Sequence, residues 1–214
     1  MKKNLLIFAM MALSFSLMAQ KGSWYIGGTV GYVSNSSKDA SGFKSSTANW
    51  YFAPEGGTFL KDDIQLGLAL GLGGSSSKND NGKLSSTTNF SPTVYVRKFF
   101  KVTDNFSTFA GAYLNYISSK STSYAVAPPI ESTQSGIGLR LGVGIAYALS
   151  PRFTAVGQYG LMGYQTVSSK TAGIDNGTNS TFSFGANTTG GSALTFGNAA
   201  PVFNIGLYYT FKKS

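Results

Sequence analysis

The feature that most constrains this chain is a two-residue alternation of large apolar and small side chains, repeated along its length. Ile64, Leu66, Leu68, Leu70 and Leu72 alternate with Gln65, Gly67, Ala69, Gly71 and Gly73. Ile137, Leu139, Leu141, Val143, Ile145 and Tyr147 alternate with Gly138, Arg140, Gly142, Gly144 and Ala146. Phe203, Ile205, Leu207, Tyr209 and Phe211 alternate with Asn204, Gly206, Tyr208 and Thr210. Successive side chains of a strand point to opposite faces, so each segment reads as a strand with one bulky apolar face and one nearly bare face. A soluble barrel turns its bulky side chains inward and meets water with charged ones. No row of Lys or Glu lies opposite these stripes. The small residues instead suit the narrow interior of a small barrel, which leaves the apolar stripes facing hydrocarbon.

Weaker alternation over 22–34, 48–59, 87–99, 106–118 and 153–167 brings the expected number of strands to eight. Within 106–118, Phe109 and Tyr113 favour one face while Leu114 and Tyr116 favour the other, which leaves that register open. Connections alternate in length. Leu60 to Asp63, Phe100 to Asn105 and Leu149 to Arg152 read as tight turns, whereas 35–47, 74–86, 119–134 and 168–199 read as long polar loops. Short periplasmic turns opposite longer external loops predict an all-β, antiparallel, up-and-down transmembrane β-barrel. Trp24, Trp50, Tyr32, Phe59, Phe99, Tyr147, Phe153, Tyr209 and Phe211 fall near strand ends, where aromatic girdles meet the membrane surfaces.

Two short alternating pieces, 181–184 and 193–196, lie in the longest loop. Each is shorter than the roughly 9 to 11 residues of a tilted spanning strand, so a hairpin or strand extension standing outside the membrane is expected there. Phe182, Phe184 and Phe196 are then the external contact candidates for an unknown surface ligand. Asn79-Asp80-Asn81-Gly82 and Asp175-Asn176-Gly177 lack the spacing and later bidentate Glu of a calcium loop, and read as hairpin tips.

Lys2 and Lys3 precede an apolar run from Leu5 to Phe15 that ends in Ser16-Leu17-Met18-Ala19, the pattern of a secretory leader. The run is too short to anchor in a bilayer, so residues 1–19 are expected as a signal peptide, with cleavage after Ser16 as the alternative, and 20–214 as the barrel domain. With neither Cys nor His in the chain, thiolate chemistry and imidazole metal ligands are excluded, as is the usual imidazole base of a lipid-modifying barrel enzyme. No catalytic residue, cofactor or metal is therefore expected. The formal net charge is +9, with Lys21, Lys61, Lys98, Lys101, Arg152, Lys212 and Lys213 near the turn end, where basic side chains can reach lipid phosphates. No concentrated basic patch with stacking aromatics points to nucleic acid.

Projecting the alternation inward predicts a polar cluster in the lumen, made of Glu55, Gln65, Tyr95, Arg97, Arg140, Gln158, Asn204 and Tyr208. A buried charge needs a partner, so Glu55 is expected to neutralise Arg140, Arg97 or both. Gly136, Gly138, Gly142 and Gly144 fall on one face of one strand with no helix after them. They are expected to make room for Arg140 and its neighbours, and they do not form a nucleotide loop.

Three segments carry a family resemblance: Pro54-Glu55-Gly56-Gly57 through Asp62-Asp63-Ile64-Gln65-Leu66-Gly67-Leu68, Gly142-Val143-Gly144-Ile145-Ala146-Tyr147 through Ser150-Pro151-Arg152-Phe153, and Ile205-Gly206-Leu207-Tyr208-Tyr209-Thr210-Phe211. They resemble the outer-membrane-protein β-barrel domain family of Gram-negative bacteria over essentially the whole mature chain. The resemblance implies the fold, residence among outer-membrane lipid and lipopolysaccharide, and assembly by the barrel-assembly machinery, whose signal Phe211 looks like. It carries no catalytic residues across. The expected function is a plugged surface barrel acting through its loops in envelope integrity, adhesion or partner binding, with a narrow channel for ions or very small solutes as the alternative.

Overall fold

The computed structural model describes residues 22–40, 42–184 and 203–211. Alternation becomes pairing throughout: β1 (Trp24–Lys38), β2 (Lys44–Lys61), β3 (Ile64–Asn79), β4 (Gly82–Lys101), β5 (Phe106–Ser123), β6 (Ile130–Ala148), β7 (Phe153–Thr171), β8 (Ile174–Phe184) and β9 (Phe203–Phe211) form one antiparallel sheet. Strands β1 to β7 pair in sequence, and β9 bridges β7 and β1, so the sheet closes into a barrel.

Among the described residues, closure makes eight staves from nine strands. Along one edge of β7, β9 pairs with residues 153–159 and β8 with residues 162–171, so two pieces of chain build the eighth stave end to end. Partners followed once round the barrel run from Phe153 through Tyr209, Ile26, Gly56, Leu68, Val94, Leu114 and Leu139. They return to β7 at Tyr164, well above the starting residue. That stagger is the shear of a barrel with tilted strands.

Among the described residues, the connections expected as long external loops are mostly strand. Asp80 and Asn81 alone separate β3 from β4, and Ala172 and Gly173 alone separate β7 from β8. Both of the latter have positive φ, 51° and 81°, the geometry of a two-residue hairpin turn. The hairpin tip is therefore at Ala172-Gly173. Asp175-Asn176-Gly177 lies just inside β8, where Asp175 Oδ1 accepts from the Gly177 N–H at 2.7 Å and the register slips. Polarity hid these strands. Beyond the apolar band both faces meet water, so Ser and Thr occupy both and the ladder continues without apolar alternation. Cross-strand hydroxyl pairs such as Ser37–Ser45 at 2.8 Å, Thr87–Ser121 at 3.0 Å and Ser168–Thr178 at 2.8 Å line it.

The open register of 106–118 resolves cleanly. Phe109, Tyr113 and Asn115 are buried inside the barrel, and Leu114 and Tyr116 are exposed on its outer face. Phe59 and Phe99 depart from the girdle expected of them. They pack inward on a buried cluster of Tyr25, Tyr95, Phe109, Tyr113, Ala146, Val156 and Tyr208. A bulge after Phe59 turns the end of β2, and rings of Phe59, Phe99 and Phe109 follow one another at 5.9 and 5.2 Å. The outer face keeps its apolar stripes, with Ile26, Phe52, Val94, Leu139, Leu141, Ile145 and Leu207 exposed.

Candidate functional site in the barrel lumen

Six strands and the closing β9 each send a side chain to one layer across the lumen. Arg97 of β4 is its centre and is 2% exposed. A guanidinium carries five N–H donors. Arg97 Nη2 meets Glu55 Oε2 at 3.0 Å and donates to Gln158 Oε1 at 3.2 Å; Nη1 donates to Gln65 Oε1 at 3.2 Å and Tyr208 OH at 3.3 Å; Nε donates to Tyr113 OH at 3.0 Å. The Tyr208 hydroxyl donates to the other carboxylate oxygen of Glu55. Below the cation lies the Tyr95 ring, its centroid 4.0 Å from Cζ, and the Tyr95 hydroxyl is hydrogen-bonded to that of Tyr25 at 2.6 Å. The layer ties β1, β2, β3, β4, β5, β7 and β9 together. Bare positions make room for it: a Cβ at Gly67 would run into the Tyr25 hydroxyl and the Tyr95 ring.

Of the residues projected inward from the sequence, Glu55, Gln65, Tyr95, Arg97, Gln158 and Tyr208 meet in this layer. Asn204 stands opposite Gln158 in the β7–β9 register. Arg140 stands apart. Among the described residues Glu55 pairs with Arg97 only, whereas Arg140 forms no ion pair, stacks over the Tyr113 ring at 4.8 Å and has an Nε without a hydrogen-bond partner. Of the expected pairings of Glu55 with Arg140, with Arg97 or with both, the structure makes the one with Arg97, because β4 delivers that guanidinium directly onto the carboxylate and Tyr208 takes its remaining oxygen. Tyr25, Tyr113 and Asn115 also face the lumen, although the alternation did not single them out. Tyr25 sits at the start of the weakly patterned β1, and the two β5 residues lie in the stretch whose register was open.

Phe182 and Phe184 lie in β8 and not in a loop. They pair with Tyr164 and Met162, on the outer face and in line with Leu139 and Leu141. That row belongs to the apolar band, so the hairpin does not begin outside it. Phe196 and residues 1–21, with the expected signal peptide, lie outside the described residues. At the turn end, Lys98 meets Asp63 at 2.8 Å and Lys101 meets Asp104 at 2.7 Å, so two basic side chains expected at lipid phosphates are held by turn carboxylates. Both carboxyls are drawn below the usual aspartate range, chiefly by the hydrogen bonds from these lysines.

A closed up-and-down barrel, apolar outside and polar inside, with tight turns at one end and tall hairpins at the other, has the form of a transmembrane β-barrel. The family model described as outer membrane protein beta-barrel domain matches residues 5–189. The chain belongs to this family. As an outer membrane β-barrel protein it resides in the bacterial outer membrane, surrounded by lipid. No curated protein matches it. Among solved structures, this outer membrane barrel is similar to neisserial surface protein A, NspA, at 15% identity over 88% of this chain and 97% of that one, with a TM-score of 0.43. OprG from Pseudomonas aeruginosa is similar at 14% identity over 90% and 97%, with a TM-score of 0.49. The outer membrane protease OmpT from Escherichia coli is similar at 11% identity over 90% and 98%, with a TM-score of 0.36.

Proposed function

We propose that this outer membrane barrel is a closed, non-enzymatic scaffold that displays its tall hairpins at the cell surface for envelope integrity, adhesion or partner binding. The observation that carries this reading is the Arg97 layer. A network that engages all the guanidinium donors and reaches seven strands fills the lumen of an eight-stave barrel, where little space is left for water. Beyond the apolar band, strands such as β4, 20 residues long, continue well past the roughly 9 to 11 needed to cross the membrane. Rigidly held outer hairpins are where a partner would be met. Packing against lipopolysaccharide and insertion by the barrel-assembly machinery belong to the same reading, with Phe211 closing β9 onto Trp24 of β1. The absence of histidine argues against catalysis of the lipid-modifying kind.

Single-channel recording in planar bilayers tests it. The refolded barrel is expected to be electrically silent at moderate voltage. Steady ion-selective conductance would replace this reading with the narrow channel.

A further inference from the structure

We infer that Arg140, with Asn115, forms a binding site for a small protonated oxyanion in the outer half of the lumen, entered from the hairpin side. The inference goes beyond the surface-scaffold reading and holds whether or not the barrel conducts. Three charged residues, Glu55, Arg97 and Arg140, are buried among the described residues, and Glu55 is taken by Arg97 and Tyr208. Arg140 is therefore a second guanidinium, 9% exposed, with no carboxylate of its own and with a buried Nε that donates to nothing. An arginine side chain cannot shed its proton to escape this position, and a buried charge without a counter-charge is strongly disfavoured. A counter-ion is what the position lacks.

Asn115 supplies the second half of the site. It stands opposite Gly138 in the β5–β6 register, which puts its side chain diagonally beside Arg140 on the same face. Its Oδ1 is buried and also without a partner. Space beside it is kept by Gly138, where a Cβ would come within 2.8 Å of that oxygen. Towards the hairpin end the inward positions of β3 and β4 are small, with Ala69, Gly71 and Gly73 on the first and Thr93 and Ser91 on the second, and burial relaxes at Asn89 and Thr87, while Tyr51, Ile117 and Gln165 also face inward from the other strands. An oxyanion with one remaining proton matches both groups: its oxygens accept from the guanidinium and its hydroxyl donates to Asn115 Oδ1. Chloride could satisfy only the first.

The test is titration of the folded barrel in detergent micelles with inorganic phosphate at constant ionic strength, following the Arg140 Nε–H resonance by NMR and the unfolding temperature. A saturable shift of that resonance and a rise in unfolding temperature are expected. Chloride should bind at least tenfold more weakly. Arg140→Gln should abolish the phosphate-dependent rise, and Asn115→Leu, which keeps the cation, should weaken phosphate about tenfold and remove its advantage over chloride. A resonance that does not move, or moves without saturating, would overturn the inference even if Arg140→Gln fails to fold. So would a phosphate-dependent rise that survives in Arg140→Gln.

Discussion

At the residue scale, the two buried arginines have opposite standing. Arg97 is compensated by Glu55 and by four further acceptors, whereas Arg140 has a ring beneath it and an idle Nε. Breaking a buried pair leaves one charge uncompensated and typically costs about 3 to 5 kcal/mol. Arg97→Leu should therefore destabilise the barrel by about that much, read from urea unfolding in lipid vesicles by the heat-modifiable gel shift. The double variant with Glu55→Leu should recover much of the loss, because the stranded carboxylate is gone. Arg140→Leu strands no carboxylate, and in phosphate-free buffer it should cost less than Arg97→Leu. An Arg140→Leu loss equal to that of Arg97→Leu would mean that Glu55 depends on both cations.

At the element scale, one residue of displacement separates lipid from lumen. On β3, Gly67 faces the Tyr25 and Tyr95 rings while Leu68 faces outward beside Val94. Gly67→Val must displace packed aromatic rings and should cost about 1 to 3 kcal/mol. Leu68→Val removes one methylene from a lipid-facing side chain and should cost less than about 1 kcal/mol. Leu68→Arg, which places a charge in the apolar band, should cost about 2 to 4 kcal/mol. Equal tolerance of valine at both positions, measured by the same unfolding assay, would reverse the inside and outside of the barrel. Pro54 and Pro92 lie within β2 and β4, and the ladders to β3 and β5 skip these positions, as expected of residues without an N–H.

At the scale of the whole molecule, the barrel has a membrane-depth body and a polar collar, and stability belongs to the first. The collar is water-exposed on both faces, so its strands bury little apolar surface. Replacing residues 77–85 by Asn-Gly, which joins the paired Ser76 and Ser86 through a two-residue turn, should leave unfolding within about 1 kcal/mol of the parent. Any surface binding carried by that hairpin should be lost. A variant that no longer refolds would make the collar part of the folding core and count against its role as a displayed surface.

What the sequence by itself determined was what clean apolar periodicity carries: the membrane-depth strands, the inner and outer faces of those whose alternation is unbroken, the tight turns, and six polar residues that meet across the lumen, whereas the faces of 106–118 and the inward turn of Phe59 and Phe99 came only with the structure. Where the alternation is unbroken, side-chain direction follows from a period of two, so those assignments needed no partner. Three further things were decided only by tertiary structure. Strand continuation beyond the membrane depends on ladder hydrogen bonds, which polar Ser and Thr runs do not announce. The place of β8 above β9 in one stave depends on register with β7, since a piece too short to span alone can still complete a wall. The choice of Arg97 over Arg140 as the partner of Glu55 depends on which guanidinium the sheared barrel carries to the carboxylate, a distance across the lumen that no spacing along the chain encodes.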